Sequence, residues 1–123
     1  PRESRDRVLL VEDDDSVREL AVLALRRAGY RVLAARDGLE ALAVLEVNAA
    51  IDVVVSDVVM PRMGGLRLAE ELQARGFPGR VLLVSGHMNE EAPPAAASAS
   101  FLAKPYTREA LVAAVGQTLE RSA

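Results

Sequence analysis

The chain has 123 residues, 50% of them hydrophobic and 27% charged, which fits one domain folded around a core rather than two domains or a disordered tail. Fifteen Lys and Arg against 18 Asp and Glu give a net charge of −3, which argues against nucleic-acid binding through a general basic surface. No cysteine and a single histidine rule out a disulfide scaffold, thiol chemistry and Cys-based or multi-His metal sites, and disfavour a Ser/His/Asp hydrolase.

Residues 1–7 (PRESRDR) read as a solvated tail, and the start at Pro1 leads us to expect a piece of something longer. Val8–Val11 is a short apolar run followed by acidic residues, as in a strand buried on both faces. Ser16 to Ala28 has helical spacing, with Val17, Leu20, Ala21, Ala24 and Ala28 on one stripe and Gly29 as the stop. Arg31–Ala35 is a weaker second strand. Asp37 can cap a helix carrying Ala41, Leu42 and Leu45 on one side. Ile51–Ser56 (IDVVVS) is the third strand, followed by the breaker-rich loop 61–65. Leu66–Arg75 is helical, closed by Gly76 and Pro78, and Val81–Ser85 is the fourth strand. Glu90–Ser100 is Ala-rich but holds Pro93-Pro94, so a short helix starting near the prolines is expected. Phe101–Lys104 is the fifth strand, and Thr107 can cap a last helix in which Leu111, Ala114, Val115 and Leu119 align.

Five strand–helix units with near-continuous apolar strands imply an α/β fold, a doubly wound three-layer sandwich around a parallel sheet. The longest unbroken apolar runs, Leu20–Leu25 and Ala110–Val115, are far short of a membrane span. No export signal is visible, so a cytoplasmic location is expected. The 3% aromatic content leaves no base-stacking platform. Neither nucleic acid nor membrane is expected as a partner of this domain.

In an open α/β sheet, ligands sit outside the carboxyl ends of the strands. There the chain places Glu12, Asp13, Asp14 and Asp15 after the first strand, Asp57 after the third, Ser85 at the end of the fourth and Lys104 at the end of the fifth. Converging carboxylates repel one another and raise each other's pKa, which a hard cation such as Mg²⁺ relieves. A hydroxyl and an ammonium on the same edge complement a phosphoryl group, and one carboxylate can act as nucleophile. Taken singly, each signal has a plainer reading. An acidic run is ordinarily a helix N-terminus, the reading that suits Asp14 and Asp15 best. A lone Asp is ordinarily a cap, a lone Lys a surface residue, a lone Ser a turn residue. Their joint placement is what points to a site.

At these residues the sequence resembles the receiver domain of two-component response regulators. The matching stretches are VLLVEDDDSVREL (8–20), DVVVSDVVMPRMGGLRL (52–68), VLLVSGHM (81–88) and FLAKPYTREAL (101–111). The resemblance implies a flavodoxin-like domain over residues 8–121, with strand order 2-1-3-4-5 and five flanking helices. It makes Asp57 the phosphoacceptor for a histidine kinase or histidine phosphotransfer domain, with Mg²⁺ as cofactor. Asp13 then matches a direct metal ligand, Glu12 one acting through water, and Val59 a ligand through its backbone carbonyl. Ser85 matches the switch hydroxyl, Lys104 the phosphoryl partner and Phe101 the aromatic that turns inward with the switch. Lys104-Pro105 resembles the family's cis peptide, which would hold the lysine at the strand end.

Gly65 matches a loop glycine expected to need positive φ, and Gly64-Gly65 should loosen the loop after Asp57. Val59 and His87 stand where the family tunes phosphoryl lifetime; for His87 a solvated loop position is the plainer reading. Ser85 and Lys104 are 19 positions apart, closer than the common pattern, so a short or displaced fourth helix is expected. VVMPRMGG with VLLVSGHM most resembles receivers attached to hybrid sensor kinases. Two alternatives remain at this stage. One is a pseudo-receiver, a protein-interaction module with an unused pocket. The other is a Mg²⁺-dependent phosphohydrolase with an aspartyl-phosphate intermediate, a class that wants a second acid where this chain has Val59.

Overall fold

The computed structural model describes residues 6–48, 50–86 and 99–120. The expected helix within 90–100 and His87 lie outside the described residues. Five strands and four helices alternate: β1 (Arg7–Val11), α1 (Asp15–Arg27), β2 (Arg31–Ala35), α2 (Gly38–Val47), β3 (Val53–Asp57), α3 (Gly65–Ala74), β4 (Arg80–Ser85), β5 (Ser100–Ala103) and α4 (Arg108–Glu120). All pairings are parallel and the order is β2-β1-β3-β4-β5, the topology expected from the sequence. Among the described residues, no helix is long and apolar enough to cross a membrane.

The three layers follow from the period of two along each strand. Val8 and Leu10 of β1 and Val53 and Val55 of β3 pack on one side with Leu25 of α1 and Leu111, Val115 and Leu119 of α4. Leu9, Val11 and Val54 point to the other side, with Leu42 of α2 and Leu68 and Leu72 of α3. β3 is buried throughout, because it has a strand on each side and helices on both faces. The edge strands β2 and β5 are only partly covered, because each has a strand on one side alone.

Local chemistry sets the helix boundaries. Asp14, Asp37 and Thr107 each accept a hydrogen bond from the backbone N–H three residues on, at 2.9 Å, so all three act as N-caps. Gly29 and Gly76 close α1 and the turn after α3 with φ of 104° and 73°.

Several expectations need correction. β1 already starts at Arg7, inside the stretch read as tail. β3 starts at Val53 rather than Ile51 and includes Asp57, while β5 ends before Lys104. The buried stripe of α1 is Ala21, Ala24 and Leu25, whereas Leu20 is 65% exposed and Val17 is on the surface. The helix is turned so that Leu25, outside the expected stripe, is fully covered in the core with Val8, Leu10 and Leu111. Gly65 lacks positive φ; that conformation falls on Arg62, at φ 67°. Glycine is needed at 65 because it opens α3 against the carbonyl oxygen of Asp57, where a Cβ would collide. A Cβ on Gly64 would likewise meet the Val58 carbonyl. These glycines therefore tighten the loop instead of loosening it.

Candidate functional site

The carboxyl ends of β1, β3, β4 and β5 bring the polar residues of the sequence motifs to one edge of the sheet. The acidic run after β1 divides its labour. Glu12 continues the ladder, its N–H donating to the Ala35 carbonyl at 3.0 Å, and its side chain turns inward with the residue 6% exposed. Asp13 stays exposed. Asp14 caps α1, and Asp15 sits in its first turn, paired with Arg18 at 2.6 Å. The plain helix-start reading thus holds for Asp14 and Asp15. Arg18 also donates to the Glu12 carbonyl oxygen at 3.0 Å, which braces the loop from α1.

Asp57 is the last residue of β3 and is buried. The Ser56 hydroxyl donates to the Asp57 carbonyl at 2.9 Å, and the Val58 N–H donates to the Val84 carbonyl at 3.0 Å. These bonds pin the backbone on either side of the carboxylate. The Lys104 ammonium donates to Asp57 Oδ2 at 2.6 Å and lies 4.0 Å from Glu12 Oε1. Lys104 is held in turn by its backbone N–H on the Ser85 carbonyl at 3.0 Å, and the bond to Pro105 is cis, as the motif suggested.

Ser85 ends β4 and is buried; its strand neighbour Val84 is in register with Asp57. Val59 is 73% exposed, and its N–H donates to Asp57 Oδ1 at 3.3 Å. Phe101 lies on the edge strand β5 and is partly exposed.

Carboxylate oxygens of Glu12, Asp13 and Asp57 lie within 4.8 Å of one another. Burial pushes the Glu12 carboxyl up to about 6, helped by the nearby Asp57 and Asp13 charges, while the Asp14 N–H and Lys104 pull it down. For Lys104 burial alone would lower the pKa, but the hydrogen bond and charge of Asp57, then Glu12, outweigh it and raise it. An all-oxygen, electron-rich cluster, with Glu12 and Asp57 buried, Asp13 open to solvent and one carboxyl reluctant to ionise, has the donor set a hard divalent cation takes. These residues therefore fit Mg²⁺.

Two features escaped the sequence reading. Tyr106 is half-buried beside the cluster; burial first, then the Glu12 and Asp57 charges, raise its pKa. The aromatic two residues past Lys104 was the available signal. Tyr106 also lines, with Val17, Leu20, Pro105 and Arg108, a mostly apolar groove of about 520 Å³ that begins at Lys104. The second feature is an ion pair between Arg62, in the loop after Asp57, and the buried Asp37 cap. The two are 25 positions apart, so no local pattern joins them.

Comparison with known proteins shows the family of the chain. The response regulator receiver domain family matches residues 8–116. The chain is 42% identical over 118 residues to the sensor kinase CckA of Brucella abortus, covering 93% of this chain and 12% of that protein. It is 38% identical over 119 residues to the response regulator MprA of a Mycobacterium species, covering 94% of this chain and 51% of that protein. The crystal structure of the receiver domain from the hybrid histidine kinase CckA is similar with a TM-score of 0.76 at 40% identity, covering 92% of this chain and 98% of that one. The chain thus spans about one eighth of the first relative and about half of the second.

Proposed function

The chain belongs to the response regulator receiver domain family of two-component systems, and on that premise we propose that Asp57 is its phosphoacceptor. Domains of this family are phosphoacceptor signalling modules. The observation that carries the assignment to Asp57 is the 2.6 Å contact of its Oδ2 with the Lys104 ammonium, inside a cluster of three carboxylates. A cation already seated on the acceptor oxygen is placed to take up charge from an incoming phosphoryl group.

In the proposed reaction an Asp57 carboxylate oxygen attacks the phosphorus of a phosphohistidine. The phosphorus–nitrogen bond breaks, its electron pair returns to the imidazole, and Asp57 becomes an acyl phosphate. Asp13, Asp57 and the Val59 backbone carbonyl would hold Mg²⁺, with Glu12 acting through water. When bound, Mg²⁺ supplies positive charge that offsets the phosphoryl oxygens and the crowded carboxylates. Lys104 exchanges its partner, from the Asp57 carboxylate to a phosphoryl oxygen. The Ser85 hydroxyl donates to another, and Phe101 turns inward with it. Phosphorylation switches the surface only to the extent that it favours the second state over the first. Val59, exposed beside Asp57, restricts attacking water; His87 is assigned to the same tuning from the sequence alone.

The donor is a histidine kinase or histidine phosphotransfer domain. The groove between Val17, Leu20 and Tyr106 starts at Lys104, so a helix carrying a phosphohistidine can lie along it with the histidine facing Asp57. Among the relatives, the sensor kinase and the hybrid-kinase receiver, at 42% and 40% identity, support attachment to a kinase.

Intact-mass spectrometry after incubation with acetyl phosphate and Mg²⁺ tests the assignment. A single labile phosphoryl adduct is expected, absent without Mg²⁺ and absent in Asp57→Asn. An adduct of equal yield in Asp57→Asn overturns it. Absence of both an adduct and fluoroberyllate binding in the native chain favours the pseudo-receiver. Steady turnover of phosphate esters favours the phosphohydrolase.

A further inference from the structure

Arg62 has φ 67°, the left-handed region that a bulky side chain enters only at a steric cost. Glycine would fit that backbone freely. A residue kept in such a conformation needs compensation, and here the guanidinium provides it. Its Nε donates to Asp37 Oδ2 at 2.7 Å and its Nη2 lies 2.7 Å from the same oxygen. Asp37 is 4% exposed and uses its other oxygen to cap α2 through the Glu40 N–H, at 2.9 Å. Burial would raise the Asp37 pKa, but the Glu40 N–H and the Arg62 guanidinium outweigh it and hold the carboxyl below its usual range. The acceptor of the pair is therefore charged at neutral pH.

A second bond runs beside the first. The Gly38 N–H donates to the Met63 carbonyl at 2.8 Å, and Met63 packs so closely on Gly38 that a Cβ there would strike its side chain. The far end of the β3–α3 loop is thus tied to the start of α2 by one side-chain and one backbone link. The near end is tied as well: the Val58 N–H is on Val84 and the Val58 carbonyl accepts from Gly65, each at 3.0 Å. Only Val59, Met60 and Pro61 lie between the two anchors.

We propose that Arg62 is a positioning residue for divalent-cation binding: its ion pair with buried Asp37 holds the three-residue span whose Val59 backbone completes the cation site. The inference rests on the reading that Mg²⁺ binds at Asp13, Asp57 and Val59. It adds that the span's geometry is set from α2 and not only from Asp57. Neither Arg62 nor Asp37 touches the cation; each acts through the loop.

The test uses the unphosphorylated chain, following Mg²⁺ by isothermal titration calorimetry and urea unfolding in EDTA. Arg62→Gly removes the ion pair and relieves the left-handed backbone. Asp37→Asn keeps a capping oxygen for Glu40 and removes the charge. Both variants are expected to weaken Mg²⁺ binding about tenfold, the low end for loss of a support behind metal ligands. The Arg62→Gly chain should unfold at a urea concentration close to the native one. The double variant should bind no more weakly than either single variant, because both remove one interaction. If Arg62→Gly binds Mg²⁺ as tightly as the native chain, the positioning role is wrong while the cation site stands. Additive losses in the double variant also refute the pair as a unit. If the native chain binds no Mg²⁺, the underlying reading fails instead.

Discussion

Replacing Glu12 by glutamine should stabilise the metal-free chain at neutral pH and leave it unchanged in acid. Glu12 is 6% exposed, and its pKa is pushed by burial, then by Asp57 and Asp13, from 4.5 to about 6. Above that value the folded chain carries a charge its pocket disfavours, whereas the unfolded chain ionises in water. Below 4.5 both states are protonated and the penalty vanishes. Between the two values the folded state binds more protons, so stability falls as pH rises. At roughly 1.36 kcal/mol for each pH unit the penalty is about 2 kcal/mol, or about 8 °C in Tm for a chain of this size. Glutamine stays neutral and keeps an oxygen for the Asp14 N–H, which donates to Glu12 at 3.0 Å. Urea unfolding in EDTA, followed by circular dichroism near pH 7.5 and near pH 4, measures the difference. An equal gain at both pH values, or a loss near pH 7.5, refutes the account of Glu12 as a carboxylate held against its preference. With Mg²⁺ added, the native chain should gain more stability than the variant, which has lost the charge the cation offsets.

Lys104→Met leaves the Asp57, Glu12 and Asp13 carboxylates without their cation, and should cost about 1–2 kcal/mol in the metal-free chain at neutral pH; unchanged unfolding would contradict the 2.6 Å contact with Asp57. Gly65→Ala places a methyl against the Asp57 carbonyl and 3.1 Å from a Leu83 methyl, so a loss of about 1–3 kcal/mol is expected, with slower adduct formation by mass spectrometry. A variant of native stability and native phosphorylation rate would show that the backbone there is free to yield. Leu25→Ala empties the fully covered contact of α1 with the sheet and should cost about 3 kcal/mol in urea unfolding; a loss under about 1 kcal/mol would mean the helix repacks.

The order of elements was legible because its signals are local. An apolar run of four or five residues between breakers, a capping Asp or Thr, and a closing glycine each act within a few residues of themselves. So β2 begins and ends where the pattern puts it, and Asp37 and Thr107 cap the helices they were expected to cap. The carboxyl-end rule then collects Glu12, Asp13, Asp57, Ser85 and Lys104 without any knowledge of distance.

Rotation and pairing were not legible. Nothing local says whether Leu20 or Leu25 of α1 meets the sheet, since both lie on an apolar run; in the fold Leu25 packs in the core formed by β1, β3 and α4, and Leu20 is left 65% exposed. The left-handed residue of the β3–α3 loop is Arg62 and not a neighbouring glycine, because a buried carboxylate on another helix offers a bond that offsets the strain. Gly65 is required by a backbone approach, not by its own φ. Periodicity and caps, each spanning a few positions, determined the order of elements, and the short motifs carried the resemblance that implies the family, the sheet order and the candidate site residues. Only the tertiary structure decided which carboxylate is buried, which lysine contact neutralises it and which arginine braces the loop. Those are outcomes of desolvation and distance, and both arise only when remote segments are packed together.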